Sequence, residues 1–252
     1  MQEERLLRTI GWAKVIGMML SILVPVFNEE SKAAGTLKEL LAVEFPCEIE
    51  VVVVDDGSRD RTWEILQTTD DNRVQFHQHD HNRGKGAAIT TAAKQACGEY
   101  MLVFDADGEY DAADIPQLVR PVLEGRANVV YGSRTFGSNS SYSFWYVMGN
   151  KGITLAANLL FNSYISDLET CYKLLPTQLF RDLKIRSRDF GMEAELTAKL
   201  LRRGIRPFEV PISYKARTRA EGKKITWTDG VQALWILGRE RVRRSPKEPT
   251  KV

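Results

Sequence analysis

Cysteine is scarce in this 252-residue chain: Cys47, Cys97 and Cys171 are odd in number, widely spaced and form no CxxC pair. That excludes a disulfide scaffold and a cysteine-rich zinc site, and fits a reducing, cytoplasmic setting. Charge of one sign is lacking too. With 35 Lys+Arg against 33 Asp+Glu the net charge is +2, so the chain has no polycationic face for nucleic acid. The local exception is 239–252, where six Lys/Arg meet two Glu. No apolar run reaches the roughly 20 residues of a spanning helix, since Ile16 to Val26 and Ile153 to Phe161 are both too short. The first twenty residues carry Glu3, Glu4, Arg5, Arg8 and Lys14 among their apolar positions and show no cleavage site of a secretory signal. Membrane contact is therefore expected to be peripheral. Walker loop, G-x-G-x-x-G after a long strand, and internal repeat are all absent, which weakens ATPase, dehydrogenase and solenoid readings.

What is present is 43% apolar residues, enough to bury the core of one large domain. Strands are predicted at Ser21 to Val26, Ile49 to Val54, Val74 to His77 and Tyr100 to Phe104, as near-continuous apolar runs suited to parallel strands covered on both faces. Helical patterns alternate with them at Ser31 to Val43, Asp60 to Gln67, Gly86 to Cys97 and Asp111 to Leu123. A strand at Asn128 to Tyr131 continues the series. Beyond a Gly/Ser/Asn-rich loop from Gly137 to Tyr142 come helices at Trp145 to Phe161, Asp189 to Arg203 and Trp227 to Val242. Arg206 to Tyr214 reads as a strand whose Pro211 suits an edge. The alternation predicts an α/β fold with a Rossmann-like, mostly parallel central sheet flanked by helices. The expected division is an amphipathic segment at 1–20, a main domain at 21–226, and a helix with a basic tail at 227–252.

Two acidic stations follow predicted strands. Asp105 and Asp107 stand at i,i+2 after the Tyr100 run, so on extended backbone both carboxylates face one way. The pattern fits either a solvated turn or a hard-oxygen site for a divalent cation. Glu109 adds a third ligand or caps the next helix. Asp55-Asp56-Gly57-Ser58 closes the second strand, where acids can meet a base imide or ribose hydroxyl, or make a turn. Gly84-Lys85-Gly86 opens a helix and fits an anion site or simple close packing. His77, His79 and His81 alternate without a completing ligand and are expected as exposed loop histidines.

Taken together, Pro25-Val26-Phe27-Asn28-Glu29-Glu30, Val53-Val54-Asp55-Asp56-Gly57-Ser58, Asn82-Arg83-Gly84-Lys85-Gly86, Asp105-Ala106-Asp107 and Gly132-Ser133-Arg134 resemble an inverting family 2 glycosyltransferase of the GT-A fold. The nearest branch is the dolichyl-phosphate mannose synthase and polyprenyl-phosphate glycosyltransferase group, over roughly residues 20 to 225. The resemblance implies a hexosyltransferase moving sugar from a nucleoside-diphosphate sugar, GDP-mannose or a UDP-sugar, to a polyprenyl phosphate. It implies Pro25, Val26, Phe27, Glu29, Asp55, Asp56 and Lys85 around the nucleotide sugar, and Asp105 and Asp107, with Glu109, around Mg²⁺ or Mn²⁺. Glu109 replaces the Gln common in mannose synthases. Arg134, Arg217, Arg219, Lys223 and Lys224 would face phosphate, and Asp167, in Asp167-Leu168-Glu169-Thr170-Cys171-Tyr172-Lys173, would lie near donor sugar and acceptor. Asp107, Arg134 and Asp167 are the expected catalytic set. A soluble alcohol or glycan acceptor is the alternative, and a non-catalytic sugar-nucleotide binder the remote one. For attachment to the inner face of a membrane, the candidates are 1–16, the surface marked by Trp145, Tyr146, Leu155, Leu159 and Leu160, and the basic tail.

Overall fold

The computed structural model describes residues 17–135, 144–189, 191–217 and 227–243. β-Branched and leucine-rich runs make β1 (Met19–Val26), β2 (Glu48–Asp55) and β4 (Tyr100–Val103), each buried along most of its length. Full burial of each Val, Leu or Ile contributes about 1.5–3 kcal/mol, so these three strands anchor the core. Completing the sheet are β3 (Val74–Gln78), β5 (Val130–Ser133), β6 (Lys173–Pro176) and β7 (Phe208–Pro211). The order is β3-β2-β1-β4-β6-β5-β7. Every pairing is parallel except those of β6, which runs antiparallel to both β4 and β5. This is the α/β architecture expected, with Pro211 on the edge strand as anticipated.

The helices are α1 (Ala33–Leu41), α2 (Thr62–Leu66), α3 (Lys85–Gln95), α4 (Ile115–Leu123), α5 (Phe144–Phe161), α6 (Thr177–Leu183), α7 (Met192–Arg202) and α8 (Trp227–Val242). A short 3₁₀ turn at Ala112–Asp114, capped by the Asp111 carboxylate accepting from Ala113 N–H, leads into α4. Neither β6 nor α6 is predicted by the sequence pattern. β6 has only four residues and begins with a buried lysine, Lys173, whose ammonium donates to the Leu168 and Thr170 carbonyls and lies over the Tyr131 ring. A second apolar cluster joins α5, α7 and α8 through Ile153, Ala157, Ala194, Ala198, Ala233 and Ile236. No helix among the described residues is long and apolar enough to cross a membrane.

Chain direction reverses its spread across the sheet at β1 and β4: β2 and β3 lie on one side, β6, β5 and β7 on the other. Ligands in open α/β sheets bind outside the carboxyl ends of strands at such a point. The segments after Val26, Asp55 and Val103 all emerge there.

Candidate active site

A cleft of about 360 Å³ opens at that edge. It is lined by Pro25, Val26, Phe27 and Glu29 after β1, Asp56 after β2, Lys85 on α3, and Asp105, Asp107 and Glu109 after β4. Arg134 after β5 and Tyr214 and Arg217 after β7 complete the lining. The strand ends therefore converge as the motif order implied, and eleven of the anticipated site residues share one cavity.

The loops are stitched to one another. Asn28, in the left-handed conformation that asparagine tolerates, donates its N–H to Ser58 Oγ and accepts from Arg59 N–H at 2.9 Å. Asp56 is 2% exposed. Its carboxylate accepts from Arg83 N–H at 2.9 Å and Gly84 N–H at 2.7 Å and meets His79 Nδ1 at 2.7 Å. His79 Nε2 reaches Thr91 Oγ1 at 2.9 Å. This corrects the expectation of exposed histidines at position 79: a buried carboxylate needs partners, and the imidazole supplies one. Asp55 does not line the cleft. It accepts from Ser58 and from Gln78 Nε2 and so holds the turn, unlike the expected ligand-facing role.

Gly84 permits this loop. Its φ is +95°, and an added Cβ would run into the Arg188 carbonyl. Gly84→Ala is expected to cost about 1–3 kcal/mol from backbone strain and this overlap. A urea midpoint unchanged from the parent would contradict the reading.

At Asp105 and Asp107, Lys85 Nζ contacts Asp105 Oδ2 at 2.8 Å and also Glu193 Oε1 at 3.0 Å. Arg217 contacts Asp107 Oδ2 at 2.6 Å and approaches Glu29 and Glu109 at 3.5 Å. Glu109 also accepts from Tyr214 Oη at 2.7 Å and from Arg217 N–H at 2.9 Å. Burial, then the charges of Asp105 and Glu109, push the Asp107 carboxyl up to about 6, against the pull of Arg217. Among the described residues no three His, Cys, Asp or Glu side chains are gathered as a ready-made metal centre. The donor chemistry nonetheless fits a hard divalent cation. Two carboxylates crowd one edge of the cleft, and its lining carries eight acidic residues against three basic ones.

Arg134 makes a two-pronged pair with Asp167, Nε to Oδ2 at 2.7 Å and Nη2 to Oδ1 at 2.8 Å, and its guanidinium lies 4.9 Å over Tyr214. Asn150 of α5 donates to the same carboxylate at 2.9 Å. Asp167 is 1% exposed and sits behind Arg134, outside the cleft lining. Burial works against its ionisation, yet the Arg134 charge, its hydrogen bonds and Asn150 hold the carboxyl below the usual range. Arg219, Lys223 and Lys224 lie outside the described residues.

Sequence reasoning gave no site role to Glu169 and missed Glu193, both of which line the cleft. Burial and the neighbouring Glu193 charge push the Glu169 carboxyl up to about 7, with Lys173 and Arg134 opposing. The folded chain then holds a proton that the unfolded chain, near 4.5, releases. This group's contribution to stability is full below about pH 4.5 and is lost as pH rises through about 7. Glu169→Gln should therefore gain stability relative to the parent at pH 8 and little at pH 4; an equal change in urea midpoint at both would remove that proton from the account.

The family profile "Glycosyl transferase family 2" matches residues 21–184. A UDP-N-acetylglucosamine–dolichyl-phosphate N-acetylglucosaminyltransferase of Methanococcus voltae is 23% identical over 230 residues, covering 82% of this chain and 90% of the relative. The undecaprenyl-phosphate 4-deoxy-4-formamido-L-arabinose transferase of Pseudomonas aeruginosa is 33% identical over 132 residues, covering 50% of this chain and only 39% of that enzyme. Among solved structures, glucosyl-3-phosphoglycerate synthase of Mycobacterium tuberculosis, in complex with Mn²⁺, UDP and glucosyl-3-phosphoglycerate, has the same fold with a TM-score of 0.68 at 17% identity, over 94% of this chain and 84% of its own.

Proposed function

The chain belongs to glycosyl transferase family 2, and from that premise we propose that it moves a sugar from a nucleoside-diphosphate sugar to a polyprenyl or dolichyl monophosphate, with inversion. The observation that carries this reading is one cleft lined both by the carboxylates of Asp105 and Asp107 and by the guanidinium of Arg134. The first suits a cation-bound diphosphate, the second an acceptor phosphate. Lipid phosphates appear as acceptors in the names of both the Methanococcus and the Pseudomonas relatives.

Pro25, Val26, Phe27 and Glu29 would receive the nucleoside, and Asp56 would act by fixing the loop that presents Lys85. Asp105 and Asp107, at i,i+2 beyond β4, would hold the cation, with Glu109 beside them accepting from Tyr214 and Arg217. A divalent cation, Mg²⁺ or Mn²⁺, would offset charge on the departing diphosphate. Lys85 and Arg217, already paired with the two acids, stand beside that charge.

Arg134 would orient the acceptor so that a phosphate oxygen meets the anomeric carbon on the face opposite the diphosphate. The new carbon–oxygen bond forms as the bond to the diphosphate breaks, and the electron pair leaves with the nucleoside diphosphate. A phosphate oxygen is ionised at neutral pH, so no side chain need remove a proton. Asp167 serves as a positioning residue for Arg134.

For the donor, GDP-mannose follows from the mannose-synthase likeness. UDP-N-acetylglucosamine is the second reading, favoured by the activity named for the Methanococcus relative. Purified protein with Mn²⁺, a short-chain polyprenyl phosphate and a panel of nucleotide sugars tests both. Transfer to the lipid phosphate is expected; turnover only with a soluble alcohol would overturn the acceptor.

A further inference from the structure

Helices α5 and α8 pack against each other through Ile153, Ala157, Ala233 and Ile236, and an ordinary surface pair would turn polar faces outward. These do not. On α5, Phe144, Met148, Leu155 and Leu159 follow the helical period and are exposed, with Trp145 beside them at 79%. On α8, Trp227, Val231, Leu234 and Trp235 do the same, Trp227 being 78% and Trp235 62% exposed. Three of the chain's five tryptophans thus stand in solvent on two adjacent helices. Contiguous apolar surface of this kind marks an interaction site.

Charge selects the occupant. α5 carries one ionised side chain, the exposed Lys151. On α8, Asp229 is half-buried in the first turn and Glu240 is buried and engaged by Arg202 and Arg243, whereas Arg241 is exposed and Arg239 stacks 4.9 Å from the Trp235 ring. Lys151, Arg239 and Arg241 outnumber that one acid, so the rim left in water is net cationic. We propose that this two-helix face docks onto an anionic lipid bilayer, with its aromatic rings at headgroup depth and its arginines toward lipid phosphates. A second copy of the chain would bring a like-charged rim against this one.

The face also touches the site: Asn150, on α5, donates to the carboxylate that grips Arg134. A docked α5 would hold the cleft's phosphate-facing guanidinium close to the membrane, where a polyprenyl phosphate presents its head. The docking proposal rests on the lipid-phosphate reading for its purpose, but its physical test is separate.

The test is flotation of the full chain with vesicles of equal parts phosphatidylglycerol and phosphatidylcholine, and with phosphatidylcholine alone. The variant is W145S/L159S/W227S, whose parent side chains are at least 75% exposed. The parent should float with anionic vesicles at low salt and much less with neutral ones. Loss of three apolar anchors should lower its partitioning about tenfold or more. Turnover on a water-soluble short-chain prenyl phosphate should be unchanged in the variant, and turnover on a long-chain polyprenyl phosphate in vesicles should fall. Equal flotation of parent and variant would overturn the proposal, as would a parent that ignores vesicles and sediments as a dimer the variant cannot form. A parent that floats yet transfers to neither lipid phosphate would sink the acceptor reading and leave the docking face standing.

Discussion

Asp107→Asn should lower turnover by about 10²–10³-fold, roughly 2.7–4 kcal/mol of transition-state stabilisation, while the protein still folds. Asp107 lines the cleft beside Asp105, and in the proposed reaction the pair would hold the cation that offsets charge on the departing diphosphate. Asparagine preserves shape and one acceptor oxygen but removes the negative charge. Arg217 loses its shortest ion pair, yet Glu29 and Glu109 remain within 3.5 Å, so its side chain keeps acidic neighbours. Steady-state turnover alongside a urea melt separates chemistry from folding. Undiminished turnover would take Asp107 out of the mechanism.

Asp167→Ala should instead act on the fold. The carboxylate is buried and accepts from Arg134 Nε, Nη2 and N–H and from Asn150 Nδ2. Truncation strands a largely buried guanidinium without its counter-charge, which typically costs about 3–5 kcal/mol. Asp167→Asn keeps the shape and should cost less. Because the folded carboxyl titrates below its ordinary value, the parent's stabilisation from this group is present above the usual carboxylate range and is lost as pH falls through the lowered value. The alanine variant should therefore converge on the parent in acid. An alanine variant as stable as the parent at pH 7 would show that Arg134 finds another partner.

The parts of the fold that local pattern could reveal are those whose local and global preferences agree. β1, β2 and β4 are apolar because both sheet faces are covered, and the acids that follow them sit where the chain leaves the sheet. β6 was not legible because its pairing with β4 joins residues far apart in sequence, and a strand opening on Lys173 resembles a solvent-facing segment until Tyr131 and two carbonyls enclose it. Glu193 was missed for a similar reason. At the start of an amphipathic helix a glutamate reads as favourable to the helix dipole, and its contact with Lys85 spans more than a hundred residues. His79 was misread because its partner, Asp56, lies on a neighbouring strand's loop rather than beside it in sequence.

The hold on Asp56 by backbone N–H groups has a consequence for how substitutions would be distributed along this loop. An amide is supplied by any residue but proline, so the side chain at Arg83, which turns to Asp80, contributes nothing to that grip and is free to drift. The carboxylate these amides bind and the glycine beside Arg83 have no such freedom: glutamate at 56 would be one methylene too long for a pocket already filled, and any side chain at 84 meets the Arg188 carbonyl. A saturation library scored for folded protein should thus show tolerance at 83 and intolerance at both 84 and the position twenty-eight residues before it, 56.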